Sequence, residues 1–248
     1  MIELTRGGPV ARLRLNRPAA RNALAVRDWE GLADTVREIG DARVLVVSGA
    51  EGAFSAGADL AEFETFRGDP VACTGFRTAM RNGLDAVAAL PIATVAWIDG
   101  PCFGAGVALA MACDIRIASS KACFAITPAK MGIGYPQEDV ARLVRLVGPG
   151  WAARLLLTGD AIDAATALRI GLVEEVVEPD GFEAVLTALA AAAPESIAML
   201  KRGILLAEAG ALHDDEQDRR FDALLGSDAF AERLSRRRTG RGLPLARP

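Results

Sequence analysis

Residues 92–118 read Ile92-Ala-Thr-Val-Ala-Trp-Ile98-Asp-Gly100-Pro-Cys-Phe-Gly104-Ala-Gly106-Val-Ala-Leu-Ala-Met-Ala-Cys113-Asp-Ile115-Arg-Ile-Ala118, and their order decides the fold class. Ile92–Ile98 is a short apolar run rich in β-branched residues, the pattern of a buried strand. Gly100, Pro101, Gly104 and Gly106 then break the chain, as loop residues do. The small apolar residues from Gly106 to Cys113 predict a buried helix, and Ile115–Ala118 a second strand. Strand, loop, helix, strand is the signature of parallel pairing in an α/β domain. The run Ala86–Cys113 holds 28 residues with Asp99 as its one charge, enough in length to cross a bilayer. Pro91 and the glycines interrupt it, so it is expected to be core.

Working outward, Val10–Leu15 alternates Ala11, Leu13 and Leu15 against Arg12 and Arg14, which predicts a half-buried strand. Trp29, Leu32, Ala33, Val36 and Ile39 recur at three and four and predict an amphipathic helix from Val26 that stops at Gly40. Val44–Val47 is expected as a buried strand. Beyond Gly148 the pattern is mostly helical, interrupted by a strand-like run Leu172–Val177, and three helices are expected from Asp180 on. Pro194 opens one of them and Gly210 closes it. The last carries Phe221, Leu224, Leu225, Phe230 and Leu234 on a charged background. These features divide the chain into an α/β core, 1–193, and a helical region, 194–248, whose apolar stripe is suited to a partner subunit.

The 248 residues are 51% hydrophobic and 24% charged with a net charge of −4, which excludes a disordered or fibrous chain. The same balance supplies no basic field for nucleic acid or an anionic membrane, apart from a short arginine-rich run, Arg233 to Arg241. Cys73, Cys102, Cys113 and Cys123 form no C-x-x-C pair, and no secretory segment is evident at the start, so reduced thiols in a cytoplasmic protein are expected. His213 is the only histidine and stands beside Asp214 and Asp215. A histidine-ligated metal site or a histidine-based triad is therefore not expected.

Two glycine-containing loops carry the chemistry: Phe54-Ser-Ala-Gly-Ala-Asp-Leu60 and Gly100-Pro-Cys-Phe-Gly-Ala-Gly106. Each follows a strand and precedes a helix. Small residues let a ligand approach the backbone, and a helix start aims free N–H groups outward. Two such loops side by side are able to direct two N–H groups at one oxygen, the design of an oxyanion hole. A dinucleotide fingerprint is not met, because its third small residue falls on Leu109. Cys102 is expected to be a buried thiol.

Leu15-Asn16-Arg17-Pro18, Arg21-Asn22-Ala23-Leu24, Phe54–Leu60, Gly104–Ile117, Leu157-Thr158-Gly159-Asp160 and Ala167–Val173 together resemble the crotonase, or enoyl-CoA hydratase/isomerase, superfamily over nearly the whole chain. The resemblance implies a spiral of ββα units, a helical C-terminal region that builds trimers or dimers of trimers, and an acyl-CoA substrate. Coenzyme A enters as part of that substrate, with no separate cofactor and no metal. Carried over residue by residue, the oxyanion-hole amides fall at Ala58 and Ala105. The adenine and pantetheine contacts fall near Ala20, Arg21, Ala23, Ala56 and Leu60, with Phe103 beside them, and the acyl pocket between Glu62 and Gly83. Arginines of the run Arg233–Arg241 are candidates for the CoA phosphates.

The departures bear on the reaction. Hydratases of this family use two glutamates as acid and base, and the matching positions here are Ala108 and Pro128. Neither transfers a proton. The stretch Thr127-Pro-Ala-Lys-Met-Gly-Ile-Gly-Tyr135-Pro136 is similar to that of methylmalonyl-CoA decarboxylase, which implies enolate formation by loss of CO2. In that comparison Tyr135 is the candidate hydrogen-bond or proton donor, although the decarboxylase keeps a glutamate where this chain has Ala108. The other expectation for Tyr135 is a packed ring with its hydroxyl on a loop carbonyl. Glu138 and Asp139 suit the start of a helix, and as acids they are the candidate bases for hydration or isomerisation. A silent acyl-CoA-binding protein is the remaining alternative.

Overall fold

The computed structural model describes residues 2–238. Within them the chain forms two compact units, the first ending at Ala191 and the second beginning at Ala192. The first unit runs β1 (Ile2–Gly7), β2 (Val10–Leu15), α1 (Val26–Arg37), β3 (Val44–Gly49), α2 (Leu60–Phe63), α3 (Pro70–Ala88), β4 (Ala93–Ile98), β5 (Pro101–Phe103), α4 (Ala105–Ala112), β6 (Ile115–Ala118) and β7 (Cys123–Ala125). It continues with α5 (Gln137–Thr158), β8 (Ile162–Asp163), α6 (Ala164–Arg169), β9 (Glu175–Val176) and α7 (Pro179–Ala191).

The larger sheet has the order β1-β2-β3-β4-β6-β9 and the smaller β5-β7-β8. Only the β1–β2 hairpin is antiparallel in the larger sheet; β2, β3, β4, β6 and β9 pair in parallel. Successive strands alternate between the sheets: β4 lies in the larger, β5 in the smaller, then α4 follows, and β6 and β7 repeat the step. This repeat has the form of the α/β spiral of ββα units expected from the sequence resemblance. The near-continuous apolar run of β3 follows from burial on both faces. Leu45 and Val47 pack into the main core, while Val44 and Val46 join Phe182 and Leu186 of α7 on the other side.

The sequence motifs between strands prove to be register devices. The exposed Asp114 carboxylate accepts from the backbone N–H and hydroxyl of buried Thr94 at 2.8 and 2.9 Å, tying the start of β6 to β4. Buried Arg116 donates to the carbonyls of Leu172 and Cys113, both at 2.9 Å, and pairs with Glu174.

Three sequence expectations change. The Gly100–Gly106 loop contains β5, because Pro101–Phe103 pairs with Cys123–Ala125 in the smaller sheet. The strand expected over Leu172–Val177 shrinks to Glu175–Val176, since the Leu172 and Val173 amides bond to the Ala167 carbonyl at the end of α6. Among the described residues four helices, not three, occupy the chain from Pro179 on. In the second unit these are α8 (Pro194–Glu208), α9 (Asp215–Leu225) and α10 (Asp228–Arg238). The break after α9 falls at Gly226-Ser227, where the Ser227 hydroxyl accepts from the Phe230 N–H at 3.2 Å and restarts the helix. Among the described residues no single helix is long and apolar enough to cross a membrane.

Candidate active site

The site is assembled from backbone. Asn22, buried and left-handed at φ 58°, donates to the carbonyls of Ala50 and Ala53 at 2.9 and 2.8 Å and accepts from the Arg17 N–H at 2.9 Å. Asparagine is among the few side-chain-bearing residues that adopt this conformation readily. The Ser55 hydroxyl donates to the Asn22 carbonyl at 2.8 Å and accepts from the Gly57 N–H at 3.0 Å. Phe54 N–H bonds to Pro101 O and Phe103 N–H to Ser55 O, so the two loops are stitched together edge to edge.

Ala58 forms a parallel bridge with Leu24, whose N–H and C=O bond to Gly57 O at 2.8 Å and Asp59 N at 2.9 Å. That pattern turns the N–H of Ala58 away from Leu24, toward the second loop. Gly57, at φ +98°, lies so close to that loop that a Cβ there would stand 2.7 Å from Phe103 O and 3.0 Å from Ala105 N. Gly104, at φ 51° and ψ −121°, occupies backbone space closed to L residues and turns the Ala105 N–H out at the start of α4. Among the described residues neither the Ala58 nor the Ala105 amide has a hydrogen-bond partner. Asp59, next in sequence, is held by Arg17 at 2.5 Å and caps α2 through Ala61 N–H. The Arg17 hydrogen bond keeps its carboxyl below the usual range.

Ala58 and Ala105 line one cavity of about 390 Å³. Ala56, Leu60 and the ring of Tyr135 also line it. Ala20, Arg21, Ala23 and Phe103 do not, although Arg21 O accepts from Ala56 N–H at 2.8 Å and the Phe103 carbonyl packs on Gly57. Of the positions matched to the hydratase glutamates, Pro128 faces the cavity and Ala108 is buried in α4.

The Tyr135 hydroxyl donates to Gly104 O at 3.0 Å, and burial pushes it well above its ordinary pKa, with the Asp139 charge adding to the shift. That carbonyl belongs to the same peptide unit as the Ala105 N–H. Tyr135 therefore steadies the peptide from its opposite end. Asp139 is fully buried and meets Arg81 Nη2 at 3.2 Å; burial raises its carboxyl pKa against the pull of Arg81. Glu138 is exposed on the first turn of α5. Neither acid lines the cavity.

α2 and α3 contribute Phe63, Phe76, Arg77 and Met80 to the lining, together with Thr127, Met131 and Ile133 from the segment after β7. The sequence marked the span 62–83 without choosing among its residues. Phe76, Arg77 and Met80 share one helical face, and that spacing is the signal available in the sequence. Cys102 is fully buried in β5, which pushes its thiol well above the ordinary value. His213 is exposed ahead of α9 and pairs with Asp215 at 2.9 Å. Among the described residues no cluster of three or more His, Cys, Asp or Glu is placed to hold a metal. Arg233 and Arg236–Arg238 lie on α10, and Arg241 lies outside the described residues.

Residues 5–237 match the family model described as enoyl-CoA hydratase/isomerase. The chain is 33% identical over 236 residues to a probable enoyl-CoA hydratase, echA6, of Mycobacterium bovis, covering 94% of this chain and 93% of that protein. It is 34% identical over 189 residues to the enoyl-CoA isomerase/hydratase claC of Penicillium crustosum, covering 73% of this chain and 21% of that longer protein. The crystal structure of a putative enoyl-CoA hydratase/isomerase family protein from Hyphomonas neptunium superposes with a TM-score of 0.92 at 32% identity, covering 99% of this chain and 97% of that one.

Proposed function

The chain belongs to the enoyl-CoA hydratase/isomerase family, and from that premise we propose that it acts on an acyl-CoA by making a thioester enolate without a carboxylate base, the favoured step being loss of CO2 from a malonyl-type acyl group. The observation that carries this is a cavity with two unpaired backbone amides and no carboxylate among its lining residues.

The thioester carbonyl oxygen sits between the Ala58 and Ala105 N–H groups. The bond from the α-carbon to the carboxylate breaks, CO2 leaves, and its electron pair flows through the α-carbon onto that oxygen. Both amides bind the developing negative charge more strongly than the neutral carbonyl, so the transition state gains more than the ground state. A proton from water then adds at the α-carbon. Coenzyme A takes part only as a portion of the substrate. Hydration or isomerisation through Glu138 or Asp139 is not favoured, since one faces solvent and the other is paired to Arg81 outside the cavity.

The test is mass spectrometry of the CoA products after incubation with crotonyl-CoA and methylmalonyl-CoA together. Loss of CO2 from the second with the first unchanged is expected; addition of water to the first would overturn the assignment, and change in neither would favour a binding protein. The exposed apolar side chains Leu200, Ile204, Phe221 and Phe230 of the second unit support assembly into trimers or dimers of trimers. Light scattering at three or six times the chain mass is the expected result.

A further inference from the structure

Among the described residues Arg77 is the only charged one that lines the cavity containing the two amides. The remainder of that lining is apolar apart from Thr127 and Tyr135, and the Tyr135 hydroxyl already donates its hydrogen bond to Gly104 O. One turn further along α3, Arg81 has acids beside it: its Nε lies 3.4 Å from Asp85 and its Nη2 3.2 Å from Asp139. Arg77 has no such acid; among the described residues it makes no ion pair and no hydrogen bond. Arg77 is exposed, so its guanidinium is free to turn into the cavity mouth, and its planar fork fits a carboxylate in two-point contact.

We infer that Arg77 selects acyl-CoA thioesters whose acyl group carries a carboxylate. The inference rests on the acyl-CoA reading above and names its substrate class. The hole and Arg77 open on one cavity of about 390 Å³, a volume at the small end for ligand sites. What extends from a thioester carbonyl in the hole across that cavity is the acyl chain. The phosphates of coenzyme A are the other source of anionic oxygen, and the experiment separates the two. Arg77 acts on binding and not on the bond-breaking step, because it stabilises a carboxylate charge that disappears as CO2 forms.

The experiment compares Arg77→Met and Arg77→Lys with the unaltered chain, using methylmalonyl-CoA and butyryl-CoA and then the corresponding pantetheine thioesters, which lack the nucleotide phosphates. Arg77 is exposed, so the variants are expected to fold, and their melting curves check this. For Arg77→Met the expected result is a rise in KM of about tenfold for methylmalonyl-CoA with kcat unchanged or slightly higher. Butyryl-CoA binding is expected to be unaffected, Arg77→Lys to recover part of the loss, and the same preference to persist with pantetheine thioesters. An equal loss for both acyl-CoAs that vanishes with the pantetheine thioesters would make phosphate the partner and overturn the inference. Unchanged KM in Arg77→Met would overturn it while leaving the acyl-CoA reading intact. Failure of the unaltered chain to bind any thioester would instead remove both.

Discussion

The two walls of the cavity are built from different materials. The wall at Ala58 and Ala105 is backbone, fixed by buried hydrogen bonds through Asn22 and Ser55 and by a glycine contact too tight for any side chain. The wall that α3 supplies, at Phe76, Arg77 and Met80, is side chain, and Arg77 and Phe76 on it are at least partly exposed. A wall of backbone keeps its chemistry under side-chain substitution, whereas a wall of side chains is free to vary. On the proposed function the contrast makes charge stabilisation and substrate choice separable, so that substitutions on the two sides should have different kinetic signatures.

The sharpest way to break the contrast is Ala105→Pro, which removes one N–H at a helix position proline tolerates. The expected loss in kcat is about 100- to 1,000-fold, the scale of one oxyanion-hole donor. Ala105→Gly, which retains the N–H, should stay near the original rate. Next is Asn22→Ala, which leaves the Ala53 carbonyl and the Arg17 amide without partners and the Ala50 carbonyl with a 3.4 Å bond from Ala53 N–H alone; chemical denaturation should register a loss of about 3 kcal/mol. A loss below 1 kcal/mol would mean that the backbone wall does not depend on this side chain.

Tyr135→Phe is expected to be milder, lowering kcat less than about tenfold with KM unchanged, because the Gly104 carbonyl keeps its helical bond from Val107 N–H at 3.0 Å. A drop of more than about a hundredfold would return Tyr135 to the role of proton donor to the substrate. The smallest effect is expected at Asp59. Its carboxyl is held below the usual range by Arg17, so the pair contributes stability above the unfolded value near pH 4 and loses it as pH falls through the lowered folded value. Acid titration of the original chain and of Asp59→Asn should show a stability gap at neutral pH that closes on acidification.

Much of this was legible in the chain. The Ile92–Ala118 run predicted the β4, α4 and β6 order, and the alternation over Val10–Leu15 matches the buried Ala11, Leu13 and Leu15. Short strands were missed because β5, β7 and β8 hold three residues or fewer, too few for a period to register. The loops at Ala58 and Ala105 were visible because glycine marks unusual backbone. What the sequence could not settle was the destination of Tyr135 and Asp139. Their positions were clear, yet whether a phenol meets substrate or a loop carbonyl, and whether a carboxylate enters the cavity or Arg81 captures it, depends on helices distant in sequence. Arg77 went unnoticed for the same reason: an arginine on an amphipathic helix looks like a solvated face until the cavity beside it is drawn.

The central claim is enolate formation without a carboxylate base, and reaction in D2O tests it most directly. With methylmalonyl-CoA the product should carry one deuteron at the α-carbon, taken from the solvent by the enolate after CO2 leaves. Butyryl-CoA under the same conditions should show no α-exchange, since no group in the cavity removes its proton. Rapid deuteration of butyryl-CoA would reveal a working base in the cavity and contradict the account.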